Sequence, residues 1–157
     1  IMKDSRIGAF GAMALVLALL SKLALLALLG AHSLGVALSA LVGAHVLSRL
    51  WPLFIVRSLP HVGDTARSKS KPLADQISGG ALATAVVWCF VPLALVWHAQ
   101  SAIFLAASVT VSAAAAAWMW RWFARRLQGF TGDCLGATQQ VGEIGFYLGA
   151  ALALRWA

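Results

Sequence analysis

The sequence predicts an all-α integral membrane protein, a polytopic bundle of about five transmembrane helices. Three observations carry this expectation. Hydrophobic residues make up 61% of the 157 and charged residues 11%, with a mean hydropathy of +0.86, well outside the range of soluble domains. Five apolar stretches are each long enough, at about 1.5 Å of rise per residue, to cross about 30 Å of hydrocarbon. The basic residues gather almost entirely on one side of those stretches.

The first span, residues 7–30, follows Lys3 and Arg6 and is apolar apart from Lys22. A short connection around Ala31, His32 and Ser33 leads into the second, residues 34–56, which carries Arg49. Residues 57–78 contain four basic and two acidic side chains with Pro60, Gly63 and Pro72, the composition of a solvated loop. The third and fourth spans, residues 79–97 and 102–120, hold no charge and are joined by His98, Ala99, Gln100 and Ser101, so they form an antiparallel hairpin. The fifth, residues 135–154, emerges from a polar, glycine-rich run. All five belong to one transmembrane domain covering residues 1–157, itself expected to be part of a longer one.

Lys3, Arg6, Arg57, Arg67, Lys69, Lys71, Arg121, Arg125 and Arg126 fall on one face of the membrane and Arg155 on the other, while Lys22 and Arg49 lie inside spans. By the positive-inside rule the basic side is cytoplasmic, with the amino terminus in. Trp97 and Trp156 mark the outer rim, and Trp118, Trp120 and Trp122 the inner one. The expected location is the bacterial inner membrane. A net charge of +7 spread over membrane boundaries without a nucleic-acid-binding motif argues for lipid headgroups rather than nucleic acid. Cys89 and Cys134 have neither metal-ligand spacing nor a disulfide framework. No cleavable leader is expected, and a start at Ile1 hints at a processed or truncated product.

Two polar clusters stand out. Lys3, Asp4, Ser5 and Arg6 precede Gly8 and Gly11, and the two cations at i, i+3 spacing suit a phosphate. Thr131, Gly132 and Asp133 open the fifth span, where helical spacing sets Asp133, Gly136, Gln140, Glu143 and Tyr147 on one face. A helix start there has free N–H groups for an anion, with Asp133 available for a metal or hydroxyl. The blander alternative is a capped helix whose Glu143 bonds a neighbouring helix. Arg49 and Glu143 sit at similar depth, which makes them the expected ion pair, whereas Lys22 can snorkel outward. Gly145, Gly149 and Ala153, together with the run Ala113 to Ala117, read as close helix packing.

Together the clusters resemble the signature of the cobalamin synthase family, the adenosylcobinamide-GDP ribazoletransferases. Met2 to Gly11 is similar to its M-K-D-S-R-I-G-x-x-G, and Gly129 to Glu143 to its G-x-T-G-D-x-L-G-A-x-Q-Q-x-x-E. The resemblance implies a membrane-bound transferase that joins adenosylcobinamide-GDP to α-ribazole, or its 5′-phosphate, and releases GMP in the last steps of cobalamin biosynthesis. It implies a magnesium cofactor. By residue type and location, Asp133 and Glu143 are the candidate catalytic residues, with Lys3, Asp4, Ser5, Arg6, Arg49, Thr131, Gly132 and Gln140 the candidates for binding substrate. Family members carry a further membrane portion ahead of the first cluster, with an Asp-rich D-G-x-x-D-x-x-D-G motif that this chain lacks. Metal ligands are therefore expected mainly upstream of Ile1, with Asp133 as an additional candidate. A non-catalytic membrane scaffold of the B12 pathway is the alternative, and a small transporter a third reading. Expected partners are the two substrates, the bilayer, and other B12-pathway membrane proteins or further copies of the chain.

Overall fold

The computed structural model describes residues 8–62 and 77–155. They form α1 (Ala9–His32), α2 (Leu34–Ser58), α3 (Gly79–Ala99), α4 (Ala102–Arg126) and α5 (Gly132–Ala153), with no strand among the described residues. The first four are long and apolar enough to cross a membrane. The fifth predicted span is a helix of comparable length, but with its glycines, glutamines and two acidic residues it is not among the four apolar enough to cross by composition.

The hairpin turns are tighter than the sequence suggests. Ser33 alone separates α1 from α2, and its hydroxyl accepts the Val36 amide N–H at 3.1 Å. Ser101 does the same for Phe104 at 3.2 Å at the start of α4. Each serine satisfies one of the N–H groups that a helix start leaves without an intrahelical partner. The α3–α4 turn is also tied sideways, where the Gln100 amide donates to Ser39 Oγ on α2 at 3.0 Å.

The centre of the bundle is α5, packed against α1, α2 and α4, while α2 touches every other helix. Between helices in lipid there is little hydrophobic driving force, so association rests on close packing and interhelical hydrogen bonds. The sequence supplies both. Gly145 and Gly149 of α5 lie against the backbone of α4 at Ala107, Ser108, Val111 and Ser112. Gly43 of α2 receives the ring of Phe146. Ser112 Oγ accepts from Trp51 Nε1 at 2.8 Å and donates to the Gly142 carbonyl at 2.7 Å, which joins α2, α4 and α5 through one hydroxyl. The glycine stripe predicted for close packing is thus used that way. The outer faces of α1 and α3 keep Phe10, Leu17, Leu23, Trp88 and Phe90 well exposed, an apolar surface suited to lipid or to a further helix.

The largest boundary departure from the sequence reading is at the end of α4. Helix α4 continues beyond Trp120 to Arg126, so Arg121, Arg125 and Arg126 are helical rather than part of a loop. Arginine is a good helix former, and positive charge complements a helix C-terminus.

Candidate functional site

The start of α5 is held by a small clamp. Residues 127–131 connect α4 to α5, and Gln128 turns the chain with a φ of 54°, unusual for a residue with a side chain. Phe130 N–H donates to the Pro60 carbonyl and Val62 N–H to the Phe130 carbonyl, each at 2.9 Å. The His61 and Phe130 rings meet edge to face with centroids 5.4 Å apart. A Cβ at Gly129 would collide with the Pro60 carbonyl and the Val62 side chain, so this position needs glycine. The beginning of the loop after α2 thereby anchors the approach to α5.

Thr131 occupies the N-cap position of α5, but its side chain caps no backbone N–H and instead meets the Cys134 thiol at 3.4 Å. The capped helix start that the sequence allowed, with Thr131 or Asp133 as the cap, is therefore not made by Thr131. First-turn N–H groups of a helix have no intrahelical acceptor, and the helix dipole adds partial positive charge there. Gly132 and Asp133 are exposed in that turn, and nothing lies within 4 Å of where a Cβ on Gly136 would sit.

From there the predicted face turns inward. Gln140 is exposed, Glu143 is only 8% exposed and Tyr147 is fully buried. The Tyr147 hydroxyl donates to Glu143 Oε1 at 3.0 Å. Lys22 of α1 reaches across, its Nζ 3.0 Å from Glu143 Oε2 and 2.6 Å from Gln140 Oε1. An ammonium offers only donors, so the carbonyl end of Gln140 faces the lysine and its NH2 group stays free to donate elsewhere.

The expected Arg49–Glu143 pair is not formed. Arg49 is exposed and donates from Nη1 to the His45 carbonyl of its own helix at 3.0 Å. The side of α2 facing the bundle is the stripe Ser39, Ala40, Gly43, Ala44, Leu47 and Ser48, which Arg49 does not share. Matched depth is necessary for such a pair, and rotation about the helix axis decided against it. Sequence reasoning read Lys22 as a snorkelling residue and so missed it as the partner. The signal available was that Lys22 is the one lysine or arginine in an otherwise uncharged 24-residue helix.

The structure therefore brings together Asp133, Gly132, Gln140 and Glu143 along α5, adds Lys22, and leaves Arg49 elsewhere. Lys3, Asp4, Ser5 and Arg6 lie outside the described residues. Among the described residues no group of three or more His, Cys, Asp or Glu stands together to hold a metal. Asp133 is a lone exposed carboxylate and Glu143 is committed to Lys22 and Tyr147. These residues fit at most one protein ligand of a magnesium ion, which normally completes its shell with water and substrate phosphates.

The profile of the cobalamin-5-phosphate synthase family matches residues 1–151, nearly the whole chain. The chain belongs to that family. Among its relatives is the adenosylcobinamide-GDP ribazoletransferase of Albidiferax ferrireducens, 61% identical over 98% of this chain and 60% of the relative. The protein of the same name from a Polaromonas species is 57% identical over 98% of the chain and 59% of the relative. That of Vibrio cholerae is 43% identical over 94% and 54%. The chain thus spans about 60% of the length of the first of these relatives. No solved structure matches it.

Gly136 offers a direct test of whether the open face serves a ligand. Alanine there meets nothing within 4 Å, so a mid-helix Gly136→Ala exchange is expected to raise stability by about 0.5–1 kcal/mol through helix propensity. If the face receives substrate backbone-close, the same variant loses turnover while its melting temperature rises.

Proposed function

We propose that this chain forms part of a membrane transferase that joins adenosylcobinamide-GDP to α-ribazole, or its 5′-phosphate, with release of GMP. The observation that carries this reading is the 61% identity, over 98% of the chain, to a protein named adenosylcobinamide-GDP ribazoletransferase. The geometry is compatible with it, since the face combining open N–H groups, a free carboxylate and a lysine-oriented amide lies at one end of the bundle.

In the reaction a ribose hydroxyl forms a new O–P bond at the phosphate borne by cobinamide, the P–O bond to the GMP phosphate breaks, and the hydroxyl proton passes to a carboxylate or water. Such transfers depend on alignment of the two oxygens and on positive charge around the phosphates. The first-turn N–H groups at Gly132 and Asp133 suit a phosphate oxygen, and the Gln140 NH2 suits an acceptor on the substrate. Asp133 suits the attacking hydroxyl or one position on magnesium, whose charge would offset that of the phosphates. Glu143, neutralised by Lys22, serves in this reading to hold Gln140 and Lys22 in place rather than to exchange protons. Lys3 and Arg6 add cations for the diphosphate. The basic side is cytoplasmic and the membrane is the bacterial inner membrane.

The test is magnesium-dependent GMP release in liposomes from adenosylcobinamide-GDP plus α-ribazole, with this chain alone and joined to the additional segment its relatives possess. Release in the joined form supports the reading, and absence of release from a folded joined protein removes it. In the active form Asp133→Asn is expected to lower kcat at least 100-fold, within the range typical for losing a general base or an electrostatic contact. Full activity would take Asp133 out of the mechanism.

A further inference from the structure

The last two turns of α4 carry a feature that the transferase reading does not use. Trp118, Arg121, Trp122, Arg125 and Arg126 follow one another at i, i+3, i+4, i+7 and i+8, a single stripe on a helix. They line a cleft of about 320 Å³. The two indoles stack at 5.9 Å with their planes 12° apart, and both are largely exposed, at 60% and 50%. Among the described residues none of the three guanidiniums makes a hydrogen bond or ion pair. There is no acidic residue anywhere on α4. The cleft is therefore a cluster of unsatisfied, forked cationic donors beside a flat aromatic wall.

Its position along the helix is equally specific. Residues 102–117 of α4 contain no charge, a length of about 24 Å, so the stripe begins where about 30 Å of hydrocarbon gives way to headgroups. Tryptophan prefers that level because its ring is apolar and its N–H is polar. A phosphodiester is the group that matches guanidinium forks in charge and geometry, and at this depth a lipid presents it with its glycerol and upper acyl chain against the indoles.

We infer that the Trp118–Arg126 stripe is a binding site for the phosphate headgroup of an anionic phospholipid. This goes beyond the transferase reading and does not depend on it. Ordinary positive-inside anchoring asks only for scattered charges near the surface. A built cleft predicts selectivity among lipids, saturation at about one lipid per chain, and a preference for guanidinium over ammonium.

The experiment uses the full chain in nanodiscs of zwitterionic phosphatidylcholine, titrated with phosphatidylglycerol and followed by native mass spectrometry and thermal melting. Inorganic phosphate at millimolar concentration is a parallel arm. The expected result is one phosphatidylglycerol retained with at least tenfold preference over phosphatidylcholine. The preference falls to near parity in Arg121→Gln/Arg125→Gln/Arg126→Gln, and is weakened but not abolished in the matching triple lysine variant. Trp118→Ala/Trp122→Ala, which leaves all charge in place, reduces retention without changing the sign of the preference. All variants change exposed residues at a helix end, and helix content by circular dichroism identifies those that remain folded. Equal retention of both lipids by the wild-type chain, or full preference kept by the triple glutamine variant, overturns the inference. Saturable protection by inorganic phosphate without lipid preference also overturns it, since that assigns the cleft to a free phosphate.

Discussion

Replacing Gly149 with valine is expected to separate α4 from α5 and to lower the melting temperature of the detergent-solubilised protein more than any exchange on the outer faces. Any side chain at this position starts with a Cβ that would lie 2.5 Å from the Ala107 carbonyl oxygen and 2.6 Å from Ser108 Cα. Both obstacles are backbone of a facing helix, so no rotamer change relieves them, and the helices have to move apart. Overpacking of this kind costs on the order of 3 kcal/mol. The separation would also strain the neighbouring Ser112 bridge to the Gly142 carbonyl. Gly149→Ala should show the same effect at smaller size, and Gly136→Ala, facing open space, should show the opposite sign. A melting temperature for Gly149→Val equal to wild type would mean that the α4–α5 contact does not organise the bundle.

That contact was legible in the sequence because glycines at intervals of four have one common physical use in lipid, close approach of a second helix. The helices themselves were legible for a similar reason, since apolar runs of span length leave few alternatives. Their ends were less so. Hydropathy falls at Trp120, yet α4 runs on to Arg126, because a helix can leave the hydrocarbon without ceasing to be helical.

The candidate face was partly legible. Spacing correctly aligned Asp133, Gln140 and Tyr147, but a repeat of seven drifts by about 20° per heptad on a straight helix. Over two heptads that turns the same stripe from the exposed Asp133 to the fully buried Tyr147. One line of residues therefore divides into an open part suited to ligand and a closed part that supports it. Rotation is also what hid the partner of Glu143. Depth pointed to Arg49 and set Lys22 aside as snorkelling outward, whereas the orientation of α1 and α2 about their axes turns the lysine inward and the arginine out.

The Lys22–Glu143 pair is expected to give the second large effect, and a double exchange separates its electrostatic part from its shape. Lys22→Met removes the ammonium that meets Glu143 Oε2 at 3.0 Å and Gln140 Oε1 at 2.6 Å, leaving a buried carboxylate with Tyr147 as its remaining side-chain donor. Removing one partner of a buried pair costs about 3–5 kcal/mol because the other charge stays desolvated, and a lone charge within a bilayer is costly by the same logic. Glu143→Gln alone strands the lysine, though its long stem can carry the charge toward the surface, so a smaller loss is expected. The double variant Lys22→Met/Glu143→Gln has no charge to strand, and the new amide can still accept from Tyr147. Its stability should return to within about 1 kcal/mol of wild type, giving a coupling energy of at least about 2 kcal/mol in a double-mutant cycle, larger by whatever Glu143→Gln loses alone. Denaturant titration in detergent measures all four proteins. Additive losses would show that the two residues do not act as a pair. Recovery of stability without recovery of turnover would show that the pair also serves turnover, beyond its contribution to stability.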